Sequence, residues 1–182
     1  MSNILIVDDD RTTLYVLQSV LNGAGYSTRI AMDGVEALTA LGAESFDLLL
    51  LDVWMPRMNG LELLAKLRSR RQSQKPRVIV MTSDDTPETL LRAVREQAFT
   101  YVQKPVESST LLNTISDALS TADVPPIEVI SARPEWLELT VPCTREAVER
   151  IRPVIERLDA KLAPEVREAT AYAFRELLLN AI

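Results

Sequence analysis

The sequence predicts an α/β protein, a five-stranded doubly wound parallel sheet of (βα)5 type followed by a partial α+β module. Three observations carry that expectation. Short apolar runs recur five times, each followed by apolar residues at helical spacing, the alternation that builds a parallel sheet with crossover helices. The stretch from Phe46 to Asp52 holds an apolar run without alternation, which suits a strand buried on both faces. That run stops at a carboxylate, Asp52, where open α/β sheets place their ligand sites. Pro56 then prevents the strand from continuing, and Asn59-Gly60 supplies turn chemistry before a helical segment.

In order along the chain, Asn3 to Val7 is a first strand ending in Asp8-Asp9-Asp10, with Asp10 placed to cap the first helix. That helix runs from about Arg11 to Asn22, with Leu14, Leu17, Val20 and Leu21 on one face and Gly23 and Gly25 ending it. Tyr26 to Ile30 is the second strand, and Asp33-Gly34 leads into a helix carrying Val35, Ala37, Leu38 and Leu41. The Asp52 strand is the third, with a helix over Leu61 to Leu67. Arg77 to Met81 is the fourth strand, ending at Thr82-Ser83, and Pro87 sits in the first turn of its helix, where proline is tolerated. Phe99 to Val102 is the fifth, ending at Lys104-Pro105, with a helix over Ser108 to Leu119. Glu36, Asp47 and Asp84-Asp85 read as solvated charges or caps, and Met55 and Met58 as packing.

Composition narrows the function classes. The 182 residues are 47% hydrophobic, enough for a sizeable core, and the net charge of −6 with no basic cluster beyond Arg68 to Arg71 argues against nucleic acid as a partner. One cysteine, Cys143, cannot form an internal disulfide, which fits a reducing cytoplasm. No apolar run approaches a membrane span and no signal pattern opens the chain, so the expectation is a soluble cytoplasmic protein. Histidine is absent, which removes histidine metal sites, histidine bases and any histidine phosphodonor within the chain.

The chemistry gathers at strand ends. Right-handed crossovers put the acidic triplet, Asp52, Thr82 and Lys104 on one edge of the sheet. Two carboxylates ~4 Å apart repel by about 4 kcal/mol at an effective dielectric near 20, and a hard cation such as Mg²⁺ relieves that. A carboxylate beside Mg²⁺, a lysine and a threonine hydroxyl is equipped to accept a phosphoryl group as an acyl phosphate.

The matching pieces Val7-Asp8-Asp9, Leu51 to Pro56, Met81-Thr82-Ser83 and Tyr101 to Pro105 resemble the receiver domain of two-component response regulators, a flavodoxin-like fold, over residues 3 to about 121. The resemblance implies Asp52 as phosphoacceptor from a partner histidine kinase or phosphotransfer protein. It implies Mg²⁺ held by Asp8, Asp9, Asp52 and the Trp54 backbone carbonyl, with Lys104 and Thr82 on the phosphoryl group and Tyr101 as the aromatic that turns inward on activation. Two positions depart from the family pattern. Trp54 is bulky where smaller or polar residues are usual, and Gln97 stands where glycine commonly closes the fourth helix, so that end is expected to be capped another way. A competing resemblance runs through Ile4 to Thr12, which matches the first motif of haloacid-dehalogenase-type phosphohydrolases with Asp8 as nucleophile. It leaves Asp52 unexplained and lacks the further acidic pair that family requires.

Residues 122–126 read as a linker, and 127–182 as a second module. Ile127 to Ile130 and Trp136 to Val141 alternate like half-buried antiparallel strands, a helix is expected over Thr144 to Leu162, and another opens at Pro164. Leu139 to Pro142 and Phe174 to Ile182 resemble the start of GHKL-type ATPase domains of the anti-sigma-factor serine kinase kind. That resemblance implies Glu176 as general base and Asn180 as a Mg²⁺ ligand, four residues apart on one helix face. The pattern stops at Ile182 without a cap and without glycine-rich nucleotide boxes, so the expectation is a truncated module, with ATP bound only in an intact parent. Anti-sigma or anti-anti-sigma type targets and a homodimer are the further partners this reading allows; a pure docking module is its rival.

Overall fold

The computed structural model describes residues 2–69, 75–83, 86–120, 127–133, 136–142, 144, 147, 150 and 151. The chain divides into two compact units, residues 1–83 with 98–120, and residues 84–97 with 121–182.

The first unit is built on five parallel strands: β1 (Asn3–Val7), β2 (Ser27–Ala31), β3 (Leu48–Asp52), β4 (Arg77–Thr82) and β5 (Thr100–Gln103). Their order across the sheet is β2-β1-β3-β4-β5. Its helices are α1 (Arg11–Gly23), α2 (Gly34–Ala43), α3 (Gly60–Ser69) and, at its end, α5 (Ser108–Ser120). All five residues of β3 are buried, as its unbroken apolar run predicts for a central strand. Alternate residues Ile4, Ile6, Leu48, Leu50, Ile79 and Met81 pack with Leu14, Leu17 and Leu21 of α1 and with Leu111, Ile115 and Ala118 of α5. Leu5, Val7, Leu49 and Leu51 point to the other face, where α2 adjoins β1 and α3.

Local chemistry starts the helices. Asp10 caps α1 through the backbone N–H groups of Thr12 and Thr13, at 3.1 Å each. Asn59 and Glu62 form a reciprocal capping box on α3, the Asn59 side chain accepting from the Glu62 N–H at 2.9 Å and Glu62 from the Asn59 N–H at 3.2 Å. Asp47 is exposed, as expected of a solvated charge, and in addition accepts the Asn3 N–H at 2.7 Å, fastening the start of β1 to the start of β3.

The second unit contains α4 (Pro87–Arg95), β6 (Glu128–Arg133) and β7 (Trp136–Thr140). β6 and β7 pair antiparallel with a register shift between Val129 and Ser131, and α4 lies against β6. The expected alternative cap at the end of α4 is not what forms. Gln97 itself takes the left-handed conformation (φ 66°) that glycine usually supplies, and its N–H bonds the Val94 carbonyl at 2.9 Å. Ala147, Arg150 and Ile151 are helical; the rest of the expected helices over 144–162 and beyond 164 lies outside the described residues, as do Asp84 and Asp85. Among the described residues no helix is long and apolar enough to cross a membrane.

Candidate functional site

In a sheet of this order the chain reverses direction between β1 and β3, and ligand sites form in the crevice beyond the carboxyl ends of those two strands. Asp8 comes directly after β1 and Asp52 ends β3, so the topology puts both carboxylates at that crevice. Both are buried, at 1% and 5% exposure. Lys104, one residue past β5, joins them: its Nζ donates to Asp8 Oδ2 at 2.6 Å and to Asp52 Oδ1. The lysine is aimed by its own backbone, whose N–H bonds the Thr82 carbonyl at 2.8 Å. Asp8 is steadied from two further sides, its N–H bonding the Ala31 carbonyl at 3.2 Å and its Oδ1 accepting the Asp10 N–H at 3.0 Å.

The electrostatics come from two carboxylates sharing one ammonium. Burial raises the Asp52 pKa above 3.8, and the Asp8 charge adds to that; the bond and charge of Lys104 and the Trp54 N–H oppose it without reversing it. Burial alone would lower the Lys104 pKa, but its bonds to Asp52 and Asp8 outweigh this and raise it above 10.5. Two buried carboxylates share one ammonium, so the cluster carries one negative charge in excess. An all-oxygen donor set with one carboxylate in excess suits a hard divalent cation. Among the described residues no three acidic side chains converge on one point, so an ion here would draw on one or two carboxylates, a backbone carbonyl and water, the usual manner of Mg²⁺.

The other predicted site residues are distributed around this centre. Asp9 is exposed beside it. Trp54 sends its N–H to the Asp52 carboxylate while its indole stands 57% exposed. Thr82 ends β4, one residue beyond the Met81 that pairs with Asp52, and is fully buried. Tyr101, paired with Val80 on β5, is buried as well. Glu176 and Asn180 lie outside the described residues.

Several residues that shape the site have a plainer reading in the sequence. Gly60, turn chemistry by its pattern, sits so close to Asp52 that a Cβ there would overlap the Asp52 carbonyl. Glu36, a solvated charge or a cap by its pattern, accepts the Met32 N–H at 2.9 Å and the Arg57 guanidinium at 3.1 Å. Asp33 is buried, caps α2 through the Val35 and Glu36 N–H groups at 2.7 and 3.0 Å, and pairs with Arg57. The signal available for Gly60 is its place shortly after a strand-ending Asp; nothing in the local pattern links Arg57 to Asp33.

A β2-β1-β3-β4-β5 parallel sheet with two carboxylates and a lysine meeting at its switch point defines a class, the flavodoxin-like α/β domains with a charged site beyond their strand ends. Comparison gives the family. A model of the response regulator receiver domain matches residues 4–116, more than half of the sequence, and the chain belongs to that family. It is 35% identical over 152 residues to the response regulator MprA of Mycobacterium avium, a match covering 83% of this chain and 65% of that one. It is 35% identical over 118 residues to the transcriptional regulatory protein ZraR of Klebsiella oxytoca, covering 65% of this chain and 26% of that one. The chain thus spans less than two thirds of the length of these relatives. Among solved structures, a CheY-like receiver domain protein from Methanospirillum hungatei aligns with a TM-score of 0.62 and 34% identity over 65% of this chain and 94% of that one. Family membership sets aside the phosphohydrolase reading of Asp8. Receiver domains are signalling domains rather than catalytic enzymes; they interact with histidine kinases or phosphotransfer proteins and generally use Mg²⁺ for phosphorylation.

Proposed function

We propose that Asp52 accepts a phosphoryl group from a partner histidine kinase or phosphotransfer protein, and that this event switches an output module formed by residues 127–182. The observation that carries the reading is the meeting of Asp8, Asp52 and Lys104 at the switch point of the sheet. In the reaction an Asp52 carboxylate oxygen attacks phosphorus, the P–N bond to the partner's imidazole breaks, and its electron pair leaves with the imidazole nitrogen. The product is an acyl phosphate on Asp52. Asp9, Asp52 and the Trp54 carbonyl would hold Mg²⁺, with Asp8 reaching it through water, and the ion would supply positive charge to the phosphoryl oxygens.

The chain's own groups do the rest. Lys104 starts on Asp52 and Asp8, so it is already within reach when new charge appears on Asp52, and it moves from a carboxylate oxygen to a phosphoryl oxygen. Thr82 and Tyr101 lie on the adjoining strands β4 and β5. The Thr82 hydroxyl would donate to the phosphoryl group, and Tyr101 would be the aromatic that turns inward as it does so. A phosphoryl group brings about −1.5 to −2 charges, enough to bias the neighbouring elements.

On this reading residues 1–121 are the receiver, 122–126 a linker and 127–182 the first part of a kinase-like output module working in the cytoplasm, in whose intact form Glu176 and Asn180 would serve ATP, with an anti-sigma type protein as target. The resemblance of 139–142 and 174–182 and the antiparallel β6–β7 pair support that finer assignment. Beryllofluoride with Mg²⁺, which mimics the acyl phosphate, tests the switch. Amide NMR signals of Thr82, Tyr101 and Lys104 should shift together, and only when Mg²⁺ is present. Shifts confined to Asp8 and its neighbours would reject the assignment.

A further inference from the structure

The loop from Val53 to Asn59, which joins β3 to α3, is held by more than its own turn. Its base is closed by the Gly60 N–H on the Val53 carbonyl at 2.9 Å, and Val53 is itself bonded to Met81 of β4 at 3.2 Å. Its far side is fastened to the start of α2. The Gly34 N–H bonds the Met58 carbonyl at 3.3 Å, and Met58 lies so near Gly34 that a Cβ there would come within 2.7 Å of the Met58 Cγ. Arg57 completes the attachment by pairing with buried Asp33 and with Glu36.

The backbone at Arg57 makes this pair informative. Its φ is 62°, in the left-handed region where a residue with a side chain is strained and glycine is not. The conformation is therefore opposed by the residue's own backbone preference and held by its side-chain partners. The strain sits three residues beyond Trp54, the residue whose N–H bonds the Asp52 carboxylate. We infer that Arg57 is a positioning residue for the phosphorylation centre: its ion pair with Asp33 and Glu36 latches the loop so that the Trp54 backbone faces Asp52 and its carbonyl is held for Mg²⁺. This rests on the receiver reading above. Residues that orient metal ligands without touching the metal commonly change affinity about 10–100-fold when removed.

Arg57→Gly separates positioning from stability, because glycine suits the left-handed backbone conformation while removing the side chain that makes the ion pair. The readouts are thermal melting of the metal-free protein and Mg²⁺ titration monitored by tryptophan fluorescence, on wild type, Arg57→Gly, Arg57→Lys and Asp33→Asn. Asparagine keeps the α2 cap and deletes the charge. The latch predicts Mg²⁺ affinity about tenfold weaker in Arg57→Gly and in Asp33→Asn. It predicts no further loss when the two are combined, partial recovery in Arg57→Lys, and a melting temperature for Arg57→Gly that does not fall in proportion. Wild-type affinity in Arg57→Gly would overturn the latch and leave the receiver reading standing. Absence of any Mg²⁺ response in wild type would overturn both.

Discussion

Asp52, the proposed phosphoacceptor, sits where burial makes its negative charge costly, a cost that a nearby cation would relieve. Burial raises its pKa above 3.8, so the folded state binds that proton more tightly than the unfolded chain does. Ionised Asp52 therefore subtracts stability at neutral pH, and the deficit closes as pH falls through the raised folded value. Metal-free Asp52→Asn should melt above wild type at neutral pH, with the gap narrowing on acidification; equal melting curves at neutral pH would contradict this. Lys104 has the opposite linkage. Its folded pKa lies above 10.5, so its contribution is complete at neutral pH and is lost only as pH climbs through that folded value. Trp54 matters at the same scale. Its N–H reaches Asp52 and its side chain is exposed; on the proposed reading the bulky ring obstructs the water that would hydrolyse the acyl phosphate. Trp54→Asn should lose its phosphoryl group several-fold faster than wild type, measured as decay of the phosphorylated mass after donor removal. An unchanged decay rate would remove the shielding role.

The elements were legible wherever a repeating pattern marked them. Apolar runs of strand length with helical spacing after them located the five βα units, and the leucines of β3 announced a strand buried on both faces. Boundaries moved by a residue or two: β2 begins at Ser27 rather than Tyr26, and Thr82 belongs to β4 rather than lying just past it. What lacked a periodic signal was not legible. The Arg57–Asp33 pair joins two loops distant in sequence, Gly60 reads as a turn residue until its approach to the Asp52 carbonyl is seen, and Glu36 shows its partners only once α2 and the β3–α3 loop are folded. Gln97 is the plainest case. Its side chain suggested a different helix end, yet the backbone adopts the glycine-like conformation regardless. Gln97→Gly should then stabilise the protein by about 1 kcal/mol, read from chemical denaturation, because it relieves a left-handed residue with a Cβ. A loss of stability would mean that the glutamine side chain holds that helix end.

The receiver match over residues 4–116 includes α4, yet α4 belongs to the second compact unit, where it lies against β6. The β4–α4 connection leads from Thr82, the hydroxyl proposed to bond the phosphoryl group, to the helix that lies against β6. Everything at this scale depends on one chemical event. Incubation with Mg²⁺ and acetyl phosphate, with intact mass as the readout, should add a single phosphoryl group to wild type, add none without Mg²⁺, and add none to Asp52→Asn. Phosphorylation that survives in Asp52→Asn and vanishes in Asp8→Asn would contradict the account.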